Sequence, residues 1–304
     1  MKRRYVTADV FTDRMFGGNP LAVVLDAEGL TTAQMQAIAL EFNYSETTFV
    51  LPPRDSAHTA EVRIFTPRTE VPFAGHPNVG TAFLLARESG FSAAALGGEF
   101  VFEEAAGLVP VRLLRDGAVV AGAELRAPES LSRRTVISRE VAAACLSLDP
   151  PDIAMQAHAP QIVSVGLPFL VVELASRDAL RRSKPNIAAH SGLLPLDGAD
   201  AVFAYWPAHE AAPASGETVL HARMYSPLDG IVEDPATGSA CAAAIALLAA
   251  LDGGLAERAW RIHQGVDMGR PSLLLGRTLA RAGAPAETYI GGRCVPVLEG
   301  TFAL

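Results

Sequence analysis

The chain lacks the marks of several large protein classes. Its three cysteines, Cys145, Cys241 and Cys294, are odd in number and scattered over 304 residues. They supply neither a disulfide framework nor a CxxC metal pair. The longest apolar run, Ala240 to Leu251, stops short of the roughly 20 residues that span a bilayer. Basic charge is in deficit, with 25 Lys+Arg against 33 Asp+Glu and a formal net of -8 at pH 7. Basic clusters are short, Lys2-Arg3-Arg4 and Arg181-Arg182, which excludes a duplex-binding face. Asp9 and Asp13 interrupt the basic start, so no secretory signal is expected. The seven histidines show no HxH, HxxxH or HExxH spacing, and GxSxG, GxxxxGK[ST] and GxGxxG are missing. Metal ligation, a serine nucleophile elbow and a nucleotide phosphate loop are therefore set aside. The expectation is a soluble, cytoplasmic protein with no nucleic-acid or membrane partner.

Half the residues are apolar and 19% are charged, enough for a large core and about two domains. Tyr5–Phe11, Leu21–Leu25, Thr47–Leu51 and Glu61–Thr66 read as strands. Thr31 followed by Gln34 is a capping box, with Met35, Ile38, Ala39 and Phe42 at helical spacing behind it. Pro77 to Ser89 reads as a helix with Pro in its first turn. Val109–Leu114 and Val119–Glu124 flank Asp116-Gly117 and predict a hairpin. Beyond a junction near Ala127-Pro128-Glu129-Ser130, Ser138 caps a short helix to about Leu146. Phe169–Leu174, Ala201–Trp206 and His221–Tyr225 read as strands. Thr237–Leu251 reads as a small-residue helix closed by Asp252-Gly253-Gly254, and Pro207–Gly216 as an exposed loop.

The chain also repeats itself. Arg63-Ile64-Phe65-Thr66-Pro67 matches Arg223-Met224-Tyr225-Ser226-Pro227, and Phe73-Ala74-Gly75-His76-Pro77 falls on Glu233-Asp234-Pro235-Ala236-Thr237 at the same offset. Upstream, Gly18-Asn19-Pro20-Leu21-Ala22-Val23-Val24 resembles Gly166-Leu167-Pro168-Phe169-Leu170-Val171-Val172. A duplicated α+β domain with loops of different length fits both matches, and the two similar halves are expected to enclose an active-site cleft.

Chemistry concentrates at the two corresponding loop-helix junctions. Gly75-His76-Pro77 and Asp234-Pro235-Ala236-Thr237-Gly238-Ser239 each bring small residues to a helix start, where unpaired N–H groups and the positive dipole end favour a carboxylate. Glu46 lies in Ser45-Glu46-Thr47-Thr48-Phe49, and its partial desolvation in an apolar strand suits general acid/base work. His76 can exchange a proton with substrate, and Asp234 can orient an amino group. Each also has a structural reading: strand-end acid, loop histidine, capping aspartate. Arg270 reads as a bridge between a helix and a turn.

Phe16-Gly17-Gly18-Asn19-Pro20, Ser45-Glu46-Thr47-Thr48-Phe49-Val50, Phe73-Ala74-Gly75-His76-Pro77, Glu233-Asp234-Pro235-Ala236-Thr237-Gly238-Ser239 and Gln264-Gly265 through Gly269-Arg270-Pro271-Ser272 resemble the PhzF-like phenazine-biosynthesis family, in order and over nearly the whole chain. The resemblance implies the diaminopimelate-epimerase fold: two halves, each a mixed β-sheet wrapped around a central helix, with the site between them. It implies domains of 1–127 and 128–304, with strand 293–304 a candidate contributor to the first. It implies a homodimeric isomerase without a cofactor, in which Glu46 is the general acid/base. His76 and Asp234 would bind and orient the substrate, with Ser45, Gly75, Gly238 and Ser239 completing its binding. The family's best-understood reaction isomerises trans-2,3-dihydro-3-hydroxyanthranilate. Epimerase relatives use two loop cysteines, where this chain has Ala74 and Asp234 or Pro235. A binding protein on the same fold and an amino-acid epimerase are the alternative readings.

Overall fold

Thr31 starts the first helix as its residues demand. Its side chain accepts from the Gln34 amide at 3.3 Å, while the Gln34 side chain accepts from the Thr31 backbone at 2.9 Å. Asn43 closes the same helix in the left-handed region, φ 52°. The computed structural model describes residues 2–91, 97–208, 217–253, 257–281 and 284–304. Within it the chain forms two compact units, Met1–Leu125 with Gly291–Leu304, and Arg126–Ile290.

The first unit contains β1 (Lys2–Val10), β2 (Asn19–Val24), α1 (Thr32–Phe42), β3 (Glu46–Leu51), β4 (Ala60–Phe65), β5 (Glu70–Val71), α2 (Gly75–Leu85), β6 (Glu99–Glu104), β7 (Gly107–Asp116) and nearly all of β8 (Val119–Arg126). β1 pairs antiparallel with β2, β2 parallel with β3, and β3 antiparallel with β4. β4 then pairs antiparallel with β5 and parallel with β6, which pairs antiparallel with β7.

The second unit contains β9 (Ser132–Val136), α3 (Arg139–Cys145), β10 (Gln161–Ser164), β11 (Pro168–Glu173), α4 (Arg177–Arg182), α5 (Ile187–Leu193), β12 (Val202–Pro207), β13 (Thr218–Ser226), β14 (Ile231–Asp234), α6 (Gly238–Leu251), β15 (Arg258–Gln264) and β16 (Ser272–Arg281). Its pairings, β10 with β11, β11 with β12, β12 with β13, β13 with β14 and β15, and β15 with β16, repeat the directions of the first unit in the same order. The final strand, β17 (Ala284–Ala303), runs through both units, and Cys294–Ala303 pairs antiparallel with β1. The fold class is α+β.

Each unit encloses one helix. Every residue of α2 is buried, and it packs on β1, β2, β3 and β7. In α6 all residues from Gly238 to Ala249 except Ser239 and Leu248 are buried, and it packs on β10, β11, β12, β15 and β16. A helix buried all round must be covered on all sides, and strands of its own unit pack against each. α2 differs from the sequence reading in its bounds. It begins two residues earlier, because Ala74 is the last extended residue (φ -152°) and Pro77 is tolerated at the third position, within the first turn. It ends at Leu85, four residues before Ser89. Of the expected loop Pro207–Gly216, Pro207 instead ends β12 opposite Leu220, and 209–216 lie outside the described residues, as does Gly254.

Candidate active site

In the first unit, β2 and β3 run parallel with Leu21 opposite Glu46. Ser45 anchors the start of β3, its hydroxyl donating to Asn19 Oδ1 at 2.9 Å. Glu46 is therefore held where β3 leaves solvent, with its side chain 19% exposed. The repeated Arg positions brace the hairpins that lead to the enclosed helices. Arg63 on β4 grips Glu70 through two 2.7 Å bonds, and Arg223 on β13 grips Glu233 through bonds of 2.8 and 2.7 Å.

His76 occupies the second position of α2, with Nδ1 3.5 Å from Glu46 Oε2. Burial pushes its pKa down to about 3, against a raising hydrogen bond to the Pro20 carbonyl. The imidazole is therefore neutral at physiological pH, and its contact with Glu46 is polar rather than a full ion pair. Nε2 is buried without a hydrogen-bond partner, so the bond to Pro20 falls to Nδ1. With two acceptors facing Nδ1, that nitrogen carries the proton and Nε2 presents a lone pair. A carboxylate and a neutral ring acceptor thus sit side by side at a helix start whose preceding residue, Ala74, gives no side-chain cap. The first-turn N–H groups there lack intrahelical acceptors.

In the second unit, Asp234 ends β14 and is buried, and its Oδ2 accepts from the Thr237 hydroxyl. Gly238 and Ser239 open α6 behind Thr237. The side chain that organises this loop is Gln264, fully buried at the end of β15. Its Nε2 donates to the Asp234 carbonyl at 2.8 Å and to Thr237 Oγ1 at 3.1 Å. Its Oε1 accepts from the Thr237 amide at 3.1 Å and from Cys241 Sγ at 3.5 Å. Every donor and acceptor of the amide is used. Next to it, Gly265 has φ 71°, and a Cβ there would lie 2.6 Å from the Pro235 carbonyl oxygen. Only glycine lets the backbone pass this close.

The structure thus brings Ser45, Glu46, Gly75 and His76 together in one unit, and Asp234, Gly238 and Ser239 together in the other. Sequence reading missed the part played by Gln264. The signal was an amide in the third inward slot of a strand, after Trp260 and Ile262. Cys241 is no candidate base: it is fully buried, and burial with the nearby Asp234 charge holds its thiol well above its ordinary pKa.

A doubled α+β fold with these helix-start sites defines a class, and the comparisons specify it. The sequence pattern of the family described as phenazine biosynthesis-like protein matches residues 8–300. An uncharacterized isomerase from Mesorhizobium japonicum is 41% identical over 303 residues, covering 98% of each chain. The trans-2,3-dihydro-3-hydroxyanthranilate isomerase of Pseudomonas chlororaphis is 35% identical over 307 residues, covering 99% of each. The crystal structure of a PhzF-family phenazine biosynthesis protein from Bacillus anthracis superposes with a TM-score of 0.85 over 100% of both chains at 23% identity. The chain belongs to the phenazine biosynthesis-like family and is an isomerase.

Proposed function

We propose that the chain isomerises a small cyclic amino or hydroxy carboxylic acid by proton transfer through Glu46, without a cofactor, in a reaction of the kind named for its Pseudomonas chlororaphis relative. Glu46 removes a proton from one ring carbon and returns it at another, so the carboxylate is regenerated in each cycle. The observation that carries this reading is the 3.5 Å contact between Glu46 Oε2 and His76 Nδ1 at the start of α2. The neutral His76 accepts a substrate hydroxyl or amine proton through Nε2, while Asp234 orients the amino group. Ser45, Gly75, Gly238 and Ser239 complete substrate binding, with the helix-start N–H groups taking the carboxylate.

The test is Glu46→Gln, which keeps size and removes the titrating group. Turnover is expected to fall by about 10² to 10⁴, with ligand affinity and unfolding temperature near those of wild type. Turnover within a few-fold of wild type would assign Glu46 to structure. A parallel loss of affinity would make it a binding residue. Run in D2O, the wild-type reaction reports the fate of the transferred proton: direct return by Glu46 leaves the product free of deuterium, and exchange of the Glu46 acid with water before return places deuterium on a ring carbon.

A further inference from the structure

Five of the six described helices start behind a Ser, Thr or Asn, and four of those side chains cap their helix. Thr31 accepts from the Gln34 amide, Ser138 from that of Val141, Ser176 from that of Ala179 and Asn186 from that of Ala189, in each case the third residue of the helix. Thr237, which starts α6, makes no such bond. The amide of Ala240, third in α6, is left without the side-chain cap that its counterparts have.

The Thr237 hydroxyl is engaged elsewhere, in a chain of bonds whose direction is fixed. A backbone amide only donates, so the oxygen of the Gln264 side chain faces the Thr237 N–H, at 3.1 Å. The Gln264 nitrogen is then the donor to the Asp234 carbonyl at 2.8 Å and to Thr237 Oγ1 at 3.1 Å. A hydroxyl oxygen that receives this N–H turns its own proton away, and Asp234 Oδ2 accepts it. The chain therefore runs from Gln264 Nε2 through Thr237 Oγ1 to Asp234 Oδ2, and each bond polarises the next. Gln264 and Asp234 are both buried, where water competes least for these bonds. They end β15 and β14, so every partner of the Thr237 side chain lies outside α6. This threonine is placed for Asp234, not for its helix.

We propose that Thr237 is a positioning residue for the substrate: its hydroxyl fixes the Asp234 carboxylate as an acceptor for the substrate amino group, and by turning from α6 it leaves the first-turn amides to the substrate carboxylate. The inference rests on the function proposed above, in which Asp234 orients the amino group and helix-start N–H groups take the carboxylate. It separates the two ends of the substrate. Recognition of the amino group depends on the Thr237 hydroxyl, and recognition of the carboxylate does not.

Two variants and two acids test it by calorimetry. The probes are 2-aminobenzoate, a flat cyclic acid with an amino group, and benzoate, which lacks that group. Thr237→Val keeps the branched shape and removes the hydroxyl. Its affinity for 2-aminobenzoate is expected to fall about tenfold, the cost of one hydrogen bond to a charged group, while its affinity for benzoate stays near that of wild type. Thr237→Ser restores the hydroxyl and is expected to recover most of the loss. An equal loss for both acids in Thr237→Val, or no recovery in Thr237→Ser, would overturn the proposal. If wild type binds neither acid, the function proposed above fails, and ligand-free crystal structures of the variants decide the role of Thr237. An Asp234 carboxylate turned from its wild-type rotamer in Thr237→Val but not in Thr237→Ser supports the proposal, and an unmoved carboxylate in Thr237→Val overturns it.

Discussion

Two buried side chains of the first unit respond to pH in opposite senses. The folded state lowers the His76 pKa from 6.5 to about 3, so between those values the unfolded chain takes up a proton that the folded chain refuses. Stability from this group is present above pH 6.5 and is lost as pH falls. The folded state raises the Glu104 pKa from 4.5 to about 8, so its stability is complete below pH 4.5 and is lost as pH rises through that window. Urea unfolding of His76→Asn is expected to show a shallower acid-side decline than wild type, and equal slopes would contradict a buried neutral imidazole. Gln264→Ala strands the Thr237 amide and the Asp234 carbonyl in the interior. It is expected to cost about 2–4 kcal/mol, read as a shift in unfolding midpoint, and to weaken substrate binding through the displaced Asp234. Glu46, His76 and Asp234 were legible because each interrupts a recognisable strand or helix start. Gln264 was not, since a polar residue in an inward slot looks like imperfect alternation until its neighbour across space is known.

The elements that the sequence declared were those with local chemistry. The Thr31–Gln34 box, the Ser138 cap and the hairpin after Asp116 each act within a few residues, and each is present, though the hairpin turns at Gly117-Ala118 with Asp116 still in β7. β5, β6, β9, β10, β14 to β16 and the first part of β17, ahead of the expected strand 293–304, escaped notice. β17 contains Pro285, Gly291, Gly292 and Pro296, all breakers by propensity, and it extends because partners far along the chain supply its ladder. Its glycines have a packing reason. A Cβ on Gly122 of β8 would lie 2.0 Å from the Gly292 carbonyl oxygen, and one on Gly291 would lie 2.4 Å from Glu124 Cβ. Backbone blocks the added methyl in the first case, so Gly122→Ala is expected to lower stability by about 3 kcal/mol or more. A melting temperature unchanged from wild type would show that β8 and β17 part more easily than their contact implies.

At the scale of the whole molecule, the repeat was visible as two offsets in residue character, and it reappears as the same series of pairings in both units. The topology of the first unit was less legible, because it is assembled from the two ends of the chain. Deleting residues 294–304 removes one of the two partners of β1, leaving it paired with β2 alone. Hydrogen exchange is expected to accelerate in β1 and β2, with β11, β12 and β13 retaining protection, since their partners lie within Arg126–Ile290.

The same closure sets an order in time. Thr7 and Leu298, joined by a 2.9 Å bond, are 291 residues apart in the chain. At the usual 5–20 residues per second of ribosomal synthesis, β1, already beside β2, waits about 15 to 60 s for β17. During that interval Val6, Ala8 and Val10, buried in the finished protein, have no completed sheet to enter. The second unit, made later, can finish folding first. Synthesis is therefore expected to close the fold at β1 last, once β17 has emerged.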